Sequence, residues 1–224
     1  MKVLENIYLI PSSVNTYLIE REAYCVLIDT GMSKSAKKII KTIKTYCPDK
    51  PLKGIMITHA HQDHIAGLET LGQLYGAEVV SHKEERDYIM NIRKLPAIEG
   101  LVGIMLRMFQ FLSPSSGYTV DQIVTDREVA FELKVYHLPG HTPGTIAFED
   151  IQTRALFCGD IINTNQKGSK ILPPSKTFAL DYEQALKASK QMFQLSKPSV
   201  ILPGHGKPIL NPSEAIKTYL EEYS

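Results

Sequence analysis

Of the seven residues in Thr58-His59-Ala60-His61-Gln62-Asp63-His64, four are His or Asp, and they follow directly on the apolar run Gly54 to Ile57. A strand of this kind has to end in a loop that can satisfy several metal-binding side chains at once. In extended chain, residues two apart face the same side, which lets His59 and His61 grip one ion while Asp63 and His64 belong to a second. The spacing differs from HExxH, where a helical step of four stacks two histidines over one metal. Here the ligands fan out from a loop between strand and helix.

Three further polar residues end apolar runs or sit in glycine-rich turns. They are His141 in Leu138-Pro139-Gly140-His141-Thr142-Pro143-Gly144, Asp160 in Leu156-Phe157-Cys158-Gly159-Asp160, and His205 in Leu202-Pro203-Gly204-His205-Gly206. Glycine at such places lets the backbone approach closely or take positive φ. Taken singly each reads as a loop residue; taken with the heptapeptide they read as further ligands.

Apolar, β-branched and aromatic runs at Ile7 to Ile10, Thr16 to Ile19, Tyr24 to Ile28 and Gly54 to Ile57 read as strands, and the N-terminal residues as another. Ala36, Ile39, Ile40 and Ile43 stand at helical spacing among lysines and mark a surface helix over Ser33 to Tyr46. Helices are expected over Ile65 to Tyr75 and Lys83 to Met90, with a strand at Glu78 to Ser81 between them. The second half offers strands at Val129 to His137, Thr145 to Phe148, Ala155 to Cys158 and Val200 to Leu202, and helices at Asp181 to Leu195 and Pro212 to Glu222.

Strands in succession, then strand and helix alternating, in both halves, argue for two sheets packed face to face with helices outside each. A chain of 224 residues fits one domain over 1–224. The stretch from Lys94 to Tyr118 breaks the rhythm, because Leu101, Ile104, Met105, Met108, Phe109 and Leu112 form an amphipathic pattern among prolines and glycines. A helical insertion over 94–118 is expected, as a lid or as the interface of a homodimer.

With 25 basic and 24 acidic residues interspersed, the formal charge is +1, and no broad field of one sign attracts nucleic acid or an anionic membrane. Neither is expected as a partner. No apolar run reaches the ~18 residues of a membrane span. Cys25, Cys47 and Cys158 are odd in number and scattered, and the N-terminal Met1-Lys2-Val3-Leu4-Glu5-Asn6 lacks the unbroken apolar run of a secretory signal. A reducing, cytoplasmic setting is expected.

From Asp29 in Ile28-Asp29-Thr30-Gly31 to Pro208, these elements in this order resemble the metallo-β-lactamase superfamily, glyoxalase II and the lactonases above all. The resemblance implies an α/β fold, a four-layer αββα sandwich of two mixed β-sheets with helices on the outer faces and the site at one edge. It implies that His59, His61 and His141 hold one of two divalent metal ions, that Asp63, His64 and His205 hold the other, and that Asp160 bridges them. Imidazole and carboxylate ligands without thiolate suit zinc first, with iron or manganese as alternatives. Two such ions lower the pKa of a shared water from about 15.7 toward ~7. The metal-bridging hydroxide would attack an ester, thioester or lactone carbonyl of a small-molecule substrate, with no organic cofactor. Asp63 is expected to accept a proton in that reaction, which makes it a catalytic residue as well as a ligand.

Asp29 and Thr58 are expected behind the ligand imidazoles, orienting them, although Asp29 also reads as a turn carboxylate. His82 and His137 read as ordinary packing or surface histidines, and Cys158 as a small hydrophobe. Departures bear on the substrate. Lactonases carry a tyrosine three residues after the bridging aspartate, where this chain has Asn163. Only Lys207 and Lys217 are basic beyond His205, so a full glutathione pocket of the glyoxalase II kind is not expected. The resemblance leaves one alternative activity, a mononuclear iron persulfide dioxygenase on the same fold.

Overall fold

The computed structural model describes residues 1–96 and 117–223. The insertion expected over 94–118 therefore lies, apart from its ends, outside the described residues.

Seven strands make the first sheet in chain order: β1 (Lys2–Leu4), β2 (Ile7–Pro11), β3 (Asn15–Glu20), β4 (Cys25–Ile28), β5 (Leu52–Met56), β6 (Glu78–His82) and β7 (Gln122–Val124). The first four form an antiparallel meander, and pairing from β4 to β7 is parallel. Parallel neighbours need crossovers, and helices supply them. They are α1 (Ala36–Tyr46) after β4, α2 (Gln62–Ile65) and α3 (Leu68–Tyr75) after β5, and α4 (Lys83–Ile89) after β6. The second sheet uses β8 (Val129–Ala130), β9 (Leu133–His137), β10 (Ile146–Asp150), β11 (Ala155–Gly159), β14 (Val200–Pro203) and β15 (Ile209–Leu210), with the short pair β12 (Asn163–Thr164) and β13 (Ile171–Leu172) beside it. Only β11 and β14 run parallel in that sheet. They are joined through α5 (Tyr182–Leu195), and α6 (Ser213–Glu222) follows β15.

Both sheets are mixed, and alternation along their strands builds the layers. Because successive side chains point to opposite faces, Tyr17, Ile19, Val26 and Ile28 meet Ala155, Phe157, Val200 and Leu202 between the sheets. The intervening Leu18, Leu27 and Ile55 pack outward on Ile39, Ile43, Leu68 and Leu71 of α1 and α3. On the other side Leu156, Cys158 and Ile201 pack on Ala185, Met192, Phe193 and Tyr219 of α5 and α6. Two helical layers thus enclose two sheets, the expected αββα sandwich. Cys158 is buried in this outer layer and its thiol is pushed up by that burial, which fits an inert packing residue. Cys25 and Cys47, distant in sequence, are both buried in the other layer, where the Cys25 thiol donates to the Pro51 carbonyl at 3.5 Å.

Two elements differ from expectation. The helix expected over Ile65 to Tyr75 is split, because Thr30 takes the His64 carbonyl with both its N–H and its hydroxyl, at 2.8 and 2.9 Å. Gly67 allows that approach: a Cβ there would stand 2.6 Å from the Thr30 carbonyl oxygen. The strand expected over Val129 to His137 is a hairpin, β8 and β9, turning on Phe131 and Glu132 at φ 51° and 63°. Neither residue is one that usually signals such a turn.

Candidate metal centre

β5 ends at Met56, the chain bends at Thr58, and His61 is extended, at φ −67° and ψ 144°, just before α2 begins. Asp63 and His64 therefore stand on a helical turn, while His59 and His61 lie in the loop before it. This is the physical reason the ligands diverge. His141 comes from the turn between β9 and β10, Asp160 from the residue after β11, and His205 from the turn after β14. All seven expected ligands converge at one end of the two sheets.

His59 Nε2 lies 3.1 Å from His61 Nδ1, and His141 Nε2 lies 2.9 Å from the same atom. Three ring nitrogens thus point at a common centre. On the other side His205 Nε2 is 3.3 Å from both Asp63 Oδ2 and Asp160 Oδ2. Asp160 Oδ1 is 3.3 Å from His64 Nε2, and its Oδ2 is 3.7 Å from His141 Nε2. Ligand atoms of His59, His61 and His141, of Asp63, His64 and His205, and of His59, His64 and Asp160 each group closely enough to share an ion.

Asp29 and Thr58 stand behind the imidazoles. Asp29 Oδ2 is 2.8 Å from His64 Nδ1 and accepts the Thr58 hydroxyl at 2.8 Å. Since that hydroxyl has spent its proton, it accepts from His59 Nδ1, 3.1 Å away. Both histidines then carry a proton on Nδ1, which leaves Nε2 of each as the atom that faces the centre. One carboxylate so sets the tautomer of a histidine in each cluster.

Burial pushes His59 well below the ordinary histidine range, His61 down to about 4 and His141 to about 3, leaving three neutral imidazoles with free lone pairs. Burial pulls the same way on His64 and His205. It is outweighed by Asp160 and Asp29 around His64, which is held well above the usual range, and by Asp160 and Asp63 around His205, held at about 9. Asp63 is pushed up by burial yet ends at about 2 beside His205 and His64. Without metal, protons on His64 and His205 balance the carboxylates.

The donors suit a divalent transition ion. Buried His64 Nε2 and Asp160 Oδ1 have no hydrogen-bond partner among the described residues, a costly arrangement unless a cation satisfies them. Gly204 keeps the space open, since a Cβ there would stand 2.3 Å from Asp160 Oδ1.

The family model of the Metallo-beta-lactamase superfamily matches residues 9–205, nearly the whole chain and every residue of both clusters. The chain belongs to the metallo-beta-lactamase superfamily. It is similar to Hydroxyacylglutathione hydrolase GloC of Haemophilus influenzae, 28% identical over 206 residues that cover 90% of this chain and 91% of the relative. BJP-1, a subclass B3 metallo-beta-lactamase of Bradyrhizobium japonicum, shares its fold with a TM-score of 0.72 at 20% identity, over 100% of this chain and 89% of that one. The solved structure of TTHA1623 in a di-iron-bound form gives 0.69 at 25% identity, over 90% of this chain and 92% of that one.

This metallo-beta-lactamase superfamily hydrolase also uses residues the sequence did not mark. Asn15 donates to the carbonyls of Pro203 and Gly206 at 3.0 and 2.8 Å, and the Tyr17 hydroxyl donates to Pro203 at 2.7 Å, so β3 holds the His205 turn in place. Buried Glu85 of α4 accepts from the backbone of Ala60 and Gly144 and from the Thr142 hydroxyl. No sequence signal distinguishes Glu85 from its neighbours in Lys83-Glu84-Glu85-Arg86, which reads as a solvated charge run. His82 and His137, set outside the motifs, stack on each other with centroids 3.9 Å apart. His82 is buried and its Nδ1 caps α4 by accepting from Glu84 N.

Proposed function

We propose that this chain is a binuclear hydrolase of small acyl compounds, with thioesters foremost among thioester, ester and lactone substrates. The observation that carries the reading is the placing of Asp160 between two sets of donors, with Oδ1 toward His64 and Oδ2 toward His141 and His205. A set with a single ion would leave the Asp63, His64 and His205 group without purpose. His59, His61 and His141 would hold one ion, Asp63, His64 and His205 the other, and Asp160 both. Two divalent ions bound there would supply water ionised at neutral pH and polarise the substrate carbonyl. Zinc is the first choice for this donor set, and the di-iron form of TTHA1623 makes iron the second.

The protein's own part follows from exposure. Asp63 and His205 side chains are 36% and 39% exposed, whereas those of His64 and His141 are fully buried, so substrate approaches over Asp63 and His205. Bound to an ion through one oxygen, Asp63 would keep the other to take a proton from the attacking water. The thioester preference rests on the likeness to a hydroxyacylglutathione hydrolase over nearly its full length.

Metal content of protein purified without added metal, followed by turnover of thioesters, lactones, phosphodiesters and glutathione persulfide, tests the reading. About two equivalents of metal with thioester hydrolysis is the expected result. One iron with oxygen-dependent persulfide consumption would replace it with the dioxygenase alternative.

A further inference from the structure

We propose that Glu85 is a positioning residue for the three-histidine cluster: its carboxylate locks the His59–His61 segment to the His141 turn and thereby sets that cluster's affinity for a divalent ion without touching the ion. The inference rests on the metal-binding reading above.

The hydrogen bonds leave no freedom in this assignment. Glu85 Oε2 accepts from Ala60 N at 2.7 Å, and Oε1 accepts from Gly144 N at 2.7 Å and from Thr142 Oγ1 at 2.8 Å. Ala60 lies between two of the three ligands, and Thr142 directly follows the third. One side chain, from a helix that contributes no ligand, thus joins both loops that carry the cluster. Two of the three donors are backbone N–H groups that cannot turn round, so each oxygen has to act as an acceptor.

The fold bears a cost for this contact. Glu85 is 0% exposed, and among the described residues no Lys, Arg or His pairs with it. Burial of an unpaired carboxylate is unfavourable, and only charge-assisted hydrogen bonds offset it. Position 144 is built around the contact as well: a Cβ there would stand 2.8 Å from Glu85 Cγ and 2.9 Å from Oε1, so glycine lets the carboxylate reach both loops. A residue serving only to stiffen the two loops has no need of a buried net charge. One that joins the two loops carrying the three ligands would add attraction for a cation held by them.

Glu85→Gln is the direct test, because its amide group presents a donor where the loops offer donors. Cobalt and zinc titrations against a competing chelator are made on the full chain, in two backgrounds. His205→Ala isolates the three-histidine cluster, and His141→Ala isolates the group of Asp63, His64 and His205. Glu85→Gln is expected to weaken binding roughly 10- to 100-fold in the first background and less than about twofold in the second. The cobalt visible spectrum of the first should change as its coordination loosens. Thr142→Val, which removes one of the three bonds and spares the fold, should weaken the first cluster roughly two- to tenfold. Equal weakening in both backgrounds, or undiminished affinity of the first cluster in either variant, overturns the role of Glu85 alone. A three-histidine cluster that takes up no metal with Glu85 in place overturns the hydrolase reading instead.

Discussion

Protonation of the metal-free centre runs in two opposite directions. His61 at about 4 and His141 at about 3 bind fewer protons folded than unfolded, so each withdraws stability as pH falls from about 6.5 toward 4. His205 at about 9 does the reverse: its contribution is complete below about 6.5 and is lost as pH rises through 9. Chelated protein should therefore melt at its highest temperature near neutral pH and lose stability on both sides. A melting temperature that climbs steadily from pH 5 to about pH 10 would contradict this account of the histidines. Asp63→Asn keeps the shape of the side chain but removes its basic oxygen. Turnover at saturating metal should fall roughly 10²- to 10⁴-fold, read by steady-state kinetics alongside metal content, and unchanged turnover would end the proton-accepting role. Asp29→Asn should weaken metal retention roughly 10- to 100-fold, because it disturbs the tautomer of His64 directly and of His59 through Thr58. The seven converging residues were legible because few side chain types bind such ions and their spacing is unusual. Asn15, Tyr17 and Glu85 were not, because they act on backbone carbonyls and amides that any sequence possesses.

Among the secondary elements, legibility followed length and burial. Strands such as β3, β4, β10 and β11 are buried nearly throughout and announce themselves as apolar runs. The short pieces β7, β12, β13 and β15 carry two or three residues each and have no periodicity to read. The break between α2 and α3 was invisible for a different reason, since it depends on Thr30, thirty-four residues before His64, capturing a carbonyl that the helix would otherwise use. Turns at the strand ends matter to the centre as much as the ligands they bear. Gly204→Ala would push a methyl group against Asp160 Oδ1 and the Gly159 carbonyl. The fold should survive, as seen by circular dichroism, while metal bound after dialysis drops at least about tenfold. Retention equal to that of the parent chain would mean that Asp160 can move without consequence.

The molecule as a whole depends on the apolar seam between its sheets. Phe157, buried on β11 with Tyr17 edge-on at 5.4 Å, sits in that seam three residues from Asp160. Phe157→Ala should cost about 3–5 kcal/mol in urea unfolding, and a loss under about 1 kcal/mol would imply a seam far looser than described. Among the described residues no helix is long and apolar enough to cross a membrane. The ligands are divided between the halves in a regular way. Every three-residue group at the centre draws two members from the segment before β7 and one from the segment after β9. A nascent or torn chain holding one half alone thus cannot complete any of these groups. Assembly of any one of these groups therefore requires that the two halves have already packed against each other.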